Sequence, residues 1–249
     1  MRLIANLLLI ALVNAADAAP DGGRLYMAHC AACHGDKGDG GVGGPLALPT
    51  FLESVDDVFL HRTIRLGRPG RVMPAFTRLS AAQIDAIVGH IRGWSGKPAP
   101  AFPASPIKGN AQQGKLLYAT HCATCHGADG EGGKGTGVTF SRKRDLPIIA
   151  PALNNPGFLA AASDSMIRHT LEFGRKGTPM RSFLAEGLTE TDIDDLVSHV
   201  RSFAVHAEAK TTPPVHTEKV IIAESPYTLE ETAENLKQSI ISQNLRLPS

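Results

Sequence analysis

Aromatic residues are scarce in this chain, at 5% of 249 residues with a single Trp. Cysteine is scarcer still, with 4 in all, and Met is held to 5. Net charge is nearly absent, formally +1 at pH 7, so nothing in the overall field gathers nucleic acid or an anionic membrane surface. Beyond the N-terminus no apolar run approaches the roughly 20 residues a bilayer-spanning helix needs. What the chain has in quantity is 25 Gly and 17 Pro. Loop-rich domains of this kind bury little apolar surface, and a metal or cofactor commonly completes their core. The length suits two small domains or one larger one.

Met1-Arg2, the apolar run Leu3–Val13 and the small-residue stretch Ala16-Asp17-Ala18 have the layout of a secretory signal. The run is too short for an uncleaved anchor to cross a bilayer. Residues 1–19 are therefore expected to be a signal peptide, and the mature protein a soluble one exported to a bacterial periplasm.

The chain repeats itself. Gly22, Tyr26, Cys30, Cys33 and His34 return as Gly114, Tyr118, Cys122, Cys125 and His126 at one constant offset. Gly67-Arg68 with Met73 returns as Gly174-Arg175 with Met180. A closing block of Leu79, Ile84, Asp85, Val88, His90 and Arg92 returns as Leu188, Ile193, Asp194, Val197, His199 and Arg201. The offset widens after the first block, which puts an insertion near Thr136–Pro147 of the second copy, in a surface loop. Each copy begins with a helix into the Cys pair (Arg24–Ala31; Ala111–Ala123), followed by a Gly-rich loop. A middle helix (Val55–Arg65; Asp164–Phe173), a turn bearing the Met and a closing helix (Ser80–Trp94; Thr189–Phe203) complete it. Ser80 and Thr189 are N-cap residues, with Asp192 three residues after Thr189. Ile84, Ile87, Val88 and Ile91, like Ile193, Leu196, Val197 and Val200, have helical spacing. No strand pattern competes within either copy, and the Pro-rich stretch Gly96–Pro106 links the two. The fold class is all-α.

All four cysteines fall in Cys30-Ala31-Ala32-Cys33-His34 and Cys122-Ala123-Thr124-Cys125-His126. Cys-x-x-Cys-His is the attachment pattern of c-type haem. Two thiols a helical turn apart can each form a thioether to a haem vinyl, and the following His brings its imidazole to the iron. A thioredoxin-like pair leaves the His unexplained, a zinc site is short of ligands, and plain disulfides suit an oxidising compartment but not the motif as a whole. Two haem c groups are expected, on Cys30/Cys33 and Cys122/Cys125, with His34 and His126 as iron ligands. Met73 and Met180 are the expected sixth ligands: few Met exist, and these two occupy equivalent turns beside Pro74 and Pro179. His90 and His199 are the rivals, placed on a solvated flank beside Arg92 and Arg201. His29 and His121 directly precede a Cys and point away from the distal side.

Over about Pro20–His206 both copies resemble class I cytochrome c domains. The resemblance implies that Gly22 with Tyr26, and Gly114 with Tyr118, pack on the first helix against Trp94 and Phe203. It also implies that the carbonyls of Pro45 and Pro151 accept the ligand imidazole's N–H. The expected division is a signal at 1–19, cytochrome c domains at 20–95 and 110–206, a Pro-rich linker at 96–109, and a linker and tail at 207–249. In the tail, Lys219–Ala223 has strand character, and Thr228-Leu229-Glu230-Glu231 opens a helix. This strand–helix extension resembles the start of a small α+β domain, either truncated or with its helix docked on the cytochrome domains or on a partner. The implied role is a diheme electron-transfer cytochrome between periplasmic redox donor and acceptor proteins. A haem-bearing subunit of a dehydrogenase, or a diheme enzyme such as a peroxidase, are the alternatives.

Overall fold

The computed structural model describes residues 19–41, 43–134, 149–210 and 228. The signal reading, the insertion near Thr136–Pro147, and the tail strand and helix lie outside these residues, apart from a terminal residue of the first and last. The element order is α1 Gly22–His29, α2 Ala31–His34, α3 Pro49–Leu52, α4 Asp57–Leu66 and α5 Ala81–Gly93, then α6 Ala111–His121, α7 Ala123–His126, β1 Gly133–Lys134, β2 Ile149–Ala150, α8 Pro156–Ala161, α9 Asp164–Phe173 and α10 Glu190–Lys210.

The all-α expectation holds, with one correction. β1 and β2 pair antiparallel, Gly133 opposite Ala150 and Lys134 opposite Ile149, where no strand was expected. They flank the second copy's insertion, and the two chain segments entering and leaving it satisfy their backbone groups on each other. A second correction concerns the end of the repeat: α10 continues to Lys210, into residues read as linker. Ala207, Glu208, Ala209 and Lys210 are good helix formers, and the first proline beyond them is Pro213. The short helices α3 and α8 went unseen because four and six residues show no periodicity.

The longer helices begin where their cap chemistry allows. Asp21 accepts from Arg24 N at 3.0 Å to start α1. Ser80 and Gln83 form a reciprocal capping box for α5. In the second copy Thr189 Oγ1 accepts from Asp192 N at 3.2 Å, while Asp192 Oδ2 accepts from Thr189 N at 2.8 Å. The apolar faces expected on the closing helices are buried, Ile84, Ile87, Ile193 and Val197 completely.

In each copy the first helix crosses the last at contact distance. A Cβ on Gly22 would fall 2.0 Å from Ala86 O, and one on Gly114 2.0 Å from Asp195 O. Tyr26 packs edge-on to Trp94 with centroids 5.0 Å apart, and Tyr118 to Phe203 at 5.5 Å. The solvated flank expected for His90, Arg92, His199 and Arg201 is not found. His199 is buried, with its ring 5.1 Å from Tyr118 and 4.9 Å from Phe203, and His90 lies between Tyr26 and Trp94. Arg92 donates to Leu52 O at 2.6 Å, Val55 O at 2.9 Å and Asp57 Oδ1 at 2.8 Å. Arg201 makes the equivalent set with Leu159 O, Ala162 O and Asp164 Oδ1. Charge suggested surface, but these guanidiniums satisfy carbonyls left open where the chain turns into the middle helix, so they are drawn inward.

The crossing generates a paired prediction. Gly114→Ala should destabilise the protein by about 1–3 kcal/mol or more, because the added methyl meets backbone that cannot yield. Gly89→Ala, in α5 with nothing within 4 Å of its Cβ position, should instead stabilise by about 0.5–1 kcal/mol. Urea unfolding of both variants reads the two signs; equal effects would refute the crossing.

Candidate cofactor sites

The chain breaks at the first cysteine of each pair. Cys30, at φ −121° and ψ −37°, ends α1, and its carbonyl accepts from Cys33 N at 3.1 Å and His34 N at 2.9 Å. Cys122 does the same for Cys125 N at 3.1 Å and His126 N at 2.9 Å. The first helix, expected to run to Ala31 and Ala123, thus ends at His29 and His121, and the break puts both thiols and the imidazole on a single tight turn. Cys30 and Cys122 are buried, Cys33 and Cys125 partly exposed, and all four are free thiols. Burial, with the neighbouring Cys adding to it, pushes the Cys30 thiol up to about 11 and the Cys122 thiol up to about 12.

The turn ends at Gly35 and Gly127, both at φ +81°, a conformation that favours glycine. Tyr26 Oη donates to Gly35 O at 2.6 Å, and Tyr118 Oη to Gly127 O at 3.0 Å, fastening the turn to the first helix. His126 Nδ1 lies 2.9 Å from Pro151 O. The equivalent contact in the first copy differs from the expectation for Pro45: His34 Nδ1 lies 2.9 Å from Gly44 O. The chain also runs close to the imidazole at Gly43, where a Cβ would fall 2.6 Å from His34 Cε1. Gly43 O is already taken by Gly41 N at 2.9 Å, so the next carbonyl, that of Gly44, meets the ring. A carbonyl can only accept, so in both copies Nδ1 carries the proton and Nε2 the lone pair. Burial, more than the nearby Arg175 charge, lowers the His126 pKa and favours the neutral ring.

Met73 and Met180 are half-buried against the core in matching loops. Arg68 N donates to Met73 O at 2.9 Å, and Arg175 N to Met180 O at 2.8 Å. Gly67 at φ +63° and Gly174 at φ +65° fold each loop back so that a Cβ would meet the backbone beside the Met. His29 and His121 are exposed, each 6.0 Å edge-on from a Phe, Phe76 and Phe183. Two buried thiols, two accessible thiols, two imidazoles with fixed tautomers and two thioethers form a donor set suited to covalently attached, His-ligated haem. Sequence reasoning missed Gly44; its signal was the Gly43-Gly44 pair.

The cytochrome c profile matches residues 111–204, and that of the cbb3-type cytochrome c oxidase subunit III matches residues 17–91. The cbb3-type cytochrome c oxidase subunit CcoP of Azospirillum sp. strain B510 is 31% identical over 171 residues, covering 63% of this chain and 53% of its own. CcoP of Rhodobacter capsulatus is 28% identical over 205 residues, covering 73% and 61%. A dihydro-heme d1 dehydrogenase of Pseudomonas aeruginosa is 40% identical over 95 residues, covering 36% of this chain and 19% of its own. A reducing HAO-like protein complex of Kuenenia stuttgartiensis overlays with TM-score 0.47 at 22% identity, over 74% of this chain and 95% of that one. The chain spans about half the length of the curated relatives it matches. Each copy thus matches a cytochrome c family model, and the pair is similar to tandem class I cytochrome c domains, a family that carries covalently bound haem c. Among the described residues no helix is long and apolar enough to cross a membrane.

The buried thiols generate a prediction for the protein before cofactor attachment. At about pH 8, iodoacetamide should label Cys33 and Cys125 well ahead of Cys30 and Cys122. Labelling of the buried pair should then rise about tenfold per pH unit, because the thiolate is the nucleophile and both thiols titrate far above neutrality. Peptide mapping by mass spectrometry measures this, and equal labelling of all four would refute it.

Proposed function

We propose that the chain is a diheme electron-transfer cytochrome working between periplasmic redox partners. One haem c is held by Cys30, Cys33, His34 and Met73, and the other by Cys122, Cys125, His126 and Met180. The observation that carries the reading is the duplicated turn, in which two thiols and a tautomer-fixed imidazole recur with the same backbone hydrogen bonds. Bound haem supplies a one-electron iron couple. The chain's own contribution would be to tether it through the cysteines, to offer it an imidazole Nε2 and a thioether, and to keep the His orientation fixed through the Gly44 and Pro151 carbonyls. A haem held by a His and a Met of the chain would have little room for substrate chemistry at its iron, and a Met ligand would set a higher potential than a second His. With this reading go domains at 20–95 and 110–206 joined by residues 96–109, the closing helix α10 of the second copy running on to Lys210.

A second reading has the chain as the haem-bearing subunit of a larger enzyme. It is favoured by the relatives' names, since CcoP and FixP are oxidase subunits. Affinity purification from the native host separates the two. Stoichiometric co-purification with a catalytic subunit supports the docked subunit, and a monodisperse soluble diheme protein supports the mobile carrier.

The mature protein should have a mass two haem groups above the processed polypeptide, and pyridine haemochrome should give two haems per chain. Fewer than two would overturn the assignment. Met73→Ala and Met180→Ala should each remove about half of the weak far-red charge-transfer band of the ferric protein, and Met180→His should lower the potential of one haem only. An unchanged band in either variant would remove that Met from the ligand set.

A further inference from the structure

Asp57 and Asp164 hold the same place in the repeat, the first residue of α4 and of α9, yet they are covered differently. Each meets the arginine of its closing helix, Arg92 or Arg201, through Oδ1. In the second copy Asp164 Oδ2 also accepts from Ile107 N at 2.8 Å, and its side chain is 13% exposed. In the first copy the Asp57 side chain is 53% exposed, and among the described residues no backbone donor meets its second oxygen.

The donor in the second copy belongs to the Pro-rich linker. Phe102 of that linker lies 5.3 Å from the His169 ring, which in turn lies 4.7 Å from Phe173 at the exposed end of α9. Burial, opposed by Glu172, lowers the His169 pKa and favours the neutral ring in this stack. The linker is thus a strap along α9: Pro103 and Pro106 keep it extended, and an aromatic ring and a backbone N–H fasten it.

Among the described residues the strap has no counterpart on α4. Counted back from Gly22 as Phe102–Ile107 is from Gly114, the corresponding residues are Ile10–Ala15, within the stretch read as a signal. The α4 positions that match Ser165, His169 and Phe173 are Val58, Arg62 and Leu66, which follow one another at one-turn spacing along a single face. All three are exposed, Val58 to 53% and Leu66 to 39%, whereas Ser165 and His169 are half-buried. Arg62 puts a fixed cation where α9 has an imidazole, and a guanidinium attracts the face of an aromatic side chain.

We propose that this face of α4 is a docking site for an extended, proline-rich segment of a partner protein, which lays an aromatic ring on Arg62 and donates a backbone N–H to Asp57 Oδ2. The occupant has the chemistry of this chain's own linker and sits on the copy that lacks one. The site uses none of the cysteines, histidines or methionines of the cofactor sites, so it stands independently of the two-haem reading.

The probe is a synthetic peptide of this chain's residues Pro98–Gly109, titrated into the reduced, isotope-labelled mature protein and followed by amide chemical shifts. Saturable shifts centred on Asp57–Leu66 are expected. Binding should weaken at least about tenfold with a Phe102→Ala peptide and with V58D or L66D protein, as for an anchor at an interface. Both protein changes fall on exposed residues, and the altered peptide serves should either variant not accumulate. Phe173→Ser, on the strapped helix, should leave binding at α4 unchanged. No shifts in α4 with millimolar peptide would overturn the proposal. So would shifts confined to α9 and lost in Phe173→Ser, which mean exchange of the strap. A mature chain that retains Ile10–Ala15 and binds peptide only once they are removed would overturn it in favour of an internal strap. A concentration-dependent dimer that is lost in Phe102→Ala protein would overturn it in favour of a second copy.

Discussion

Helix α1 can bear directly on α5 only because residue 22 has no side chain, and α6 on α10 only because residue 114 has none. Much else follows from that contact. It brings Tyr26 and Tyr118 under Trp94 and Phe203, where burial holds their phenols protonated by raising their pKa far above the usual value. A protonated phenol can donate, and each donates to the carbonyl of the glycine that ends its Cys–His turn. Thus a requirement for close helix packing becomes a restraint on the imidazole. The opposite side depends on the same helices. Arg92 and Arg201 project from α5 and α10 to hold the carbonyls at the start of the middle helix, and that helix ends in the loop bearing the Met. Both sides of each site therefore hang from one crossing.

Much of this was legible in the sequence because the chain is its own control. A Met or Tyr that recurs at a matching place in two diverged copies is marked as structural or chemical without any other sequence. The closing helices, with strong 3.6-residue periodicity and Ser80 or Thr189 ahead of them, lie where pattern and cap chemistry put them. What could not be read depends on atoms distant in sequence. Arg92 and His199 are polar and so suggest a surface, but their burial is decided by carbonyls of residues 52 and 55 and by the rings of Tyr118 and Phe203. Gly44 displaces Pro45 as the imidazole's partner because of a backbone approach distance at Gly43, which a motif does not encode.

The repeat is not symmetric where its copies meet. Arg175 crosses to Ser54 and Phe51 of the first copy, whereas Arg68 stays among Thr63, Gly67 and Phe59 of its own. Asn155 answers by crossing from the second copy to Pro69, beside Arg68. A duplicated domain that had drifted freely would lose such reciprocal contacts first, since polar groups half-enclosed at a domain boundary cost more than they return unless satisfied. The contacts are concentrated on the Met-bearing loops, the part of each domain nearest its cofactor donors on that side. A shift in one loop therefore cannot leave the other untouched: moving Arg175 disturbs Ser54 at the end of α3, and moving Pro69 disturbs Asn155 at the start of α8. The physical unit of this protein is the pair of sites with the seam between them, and in that seam Arg68 and Arg175 have, among the described residues, no acidic partner.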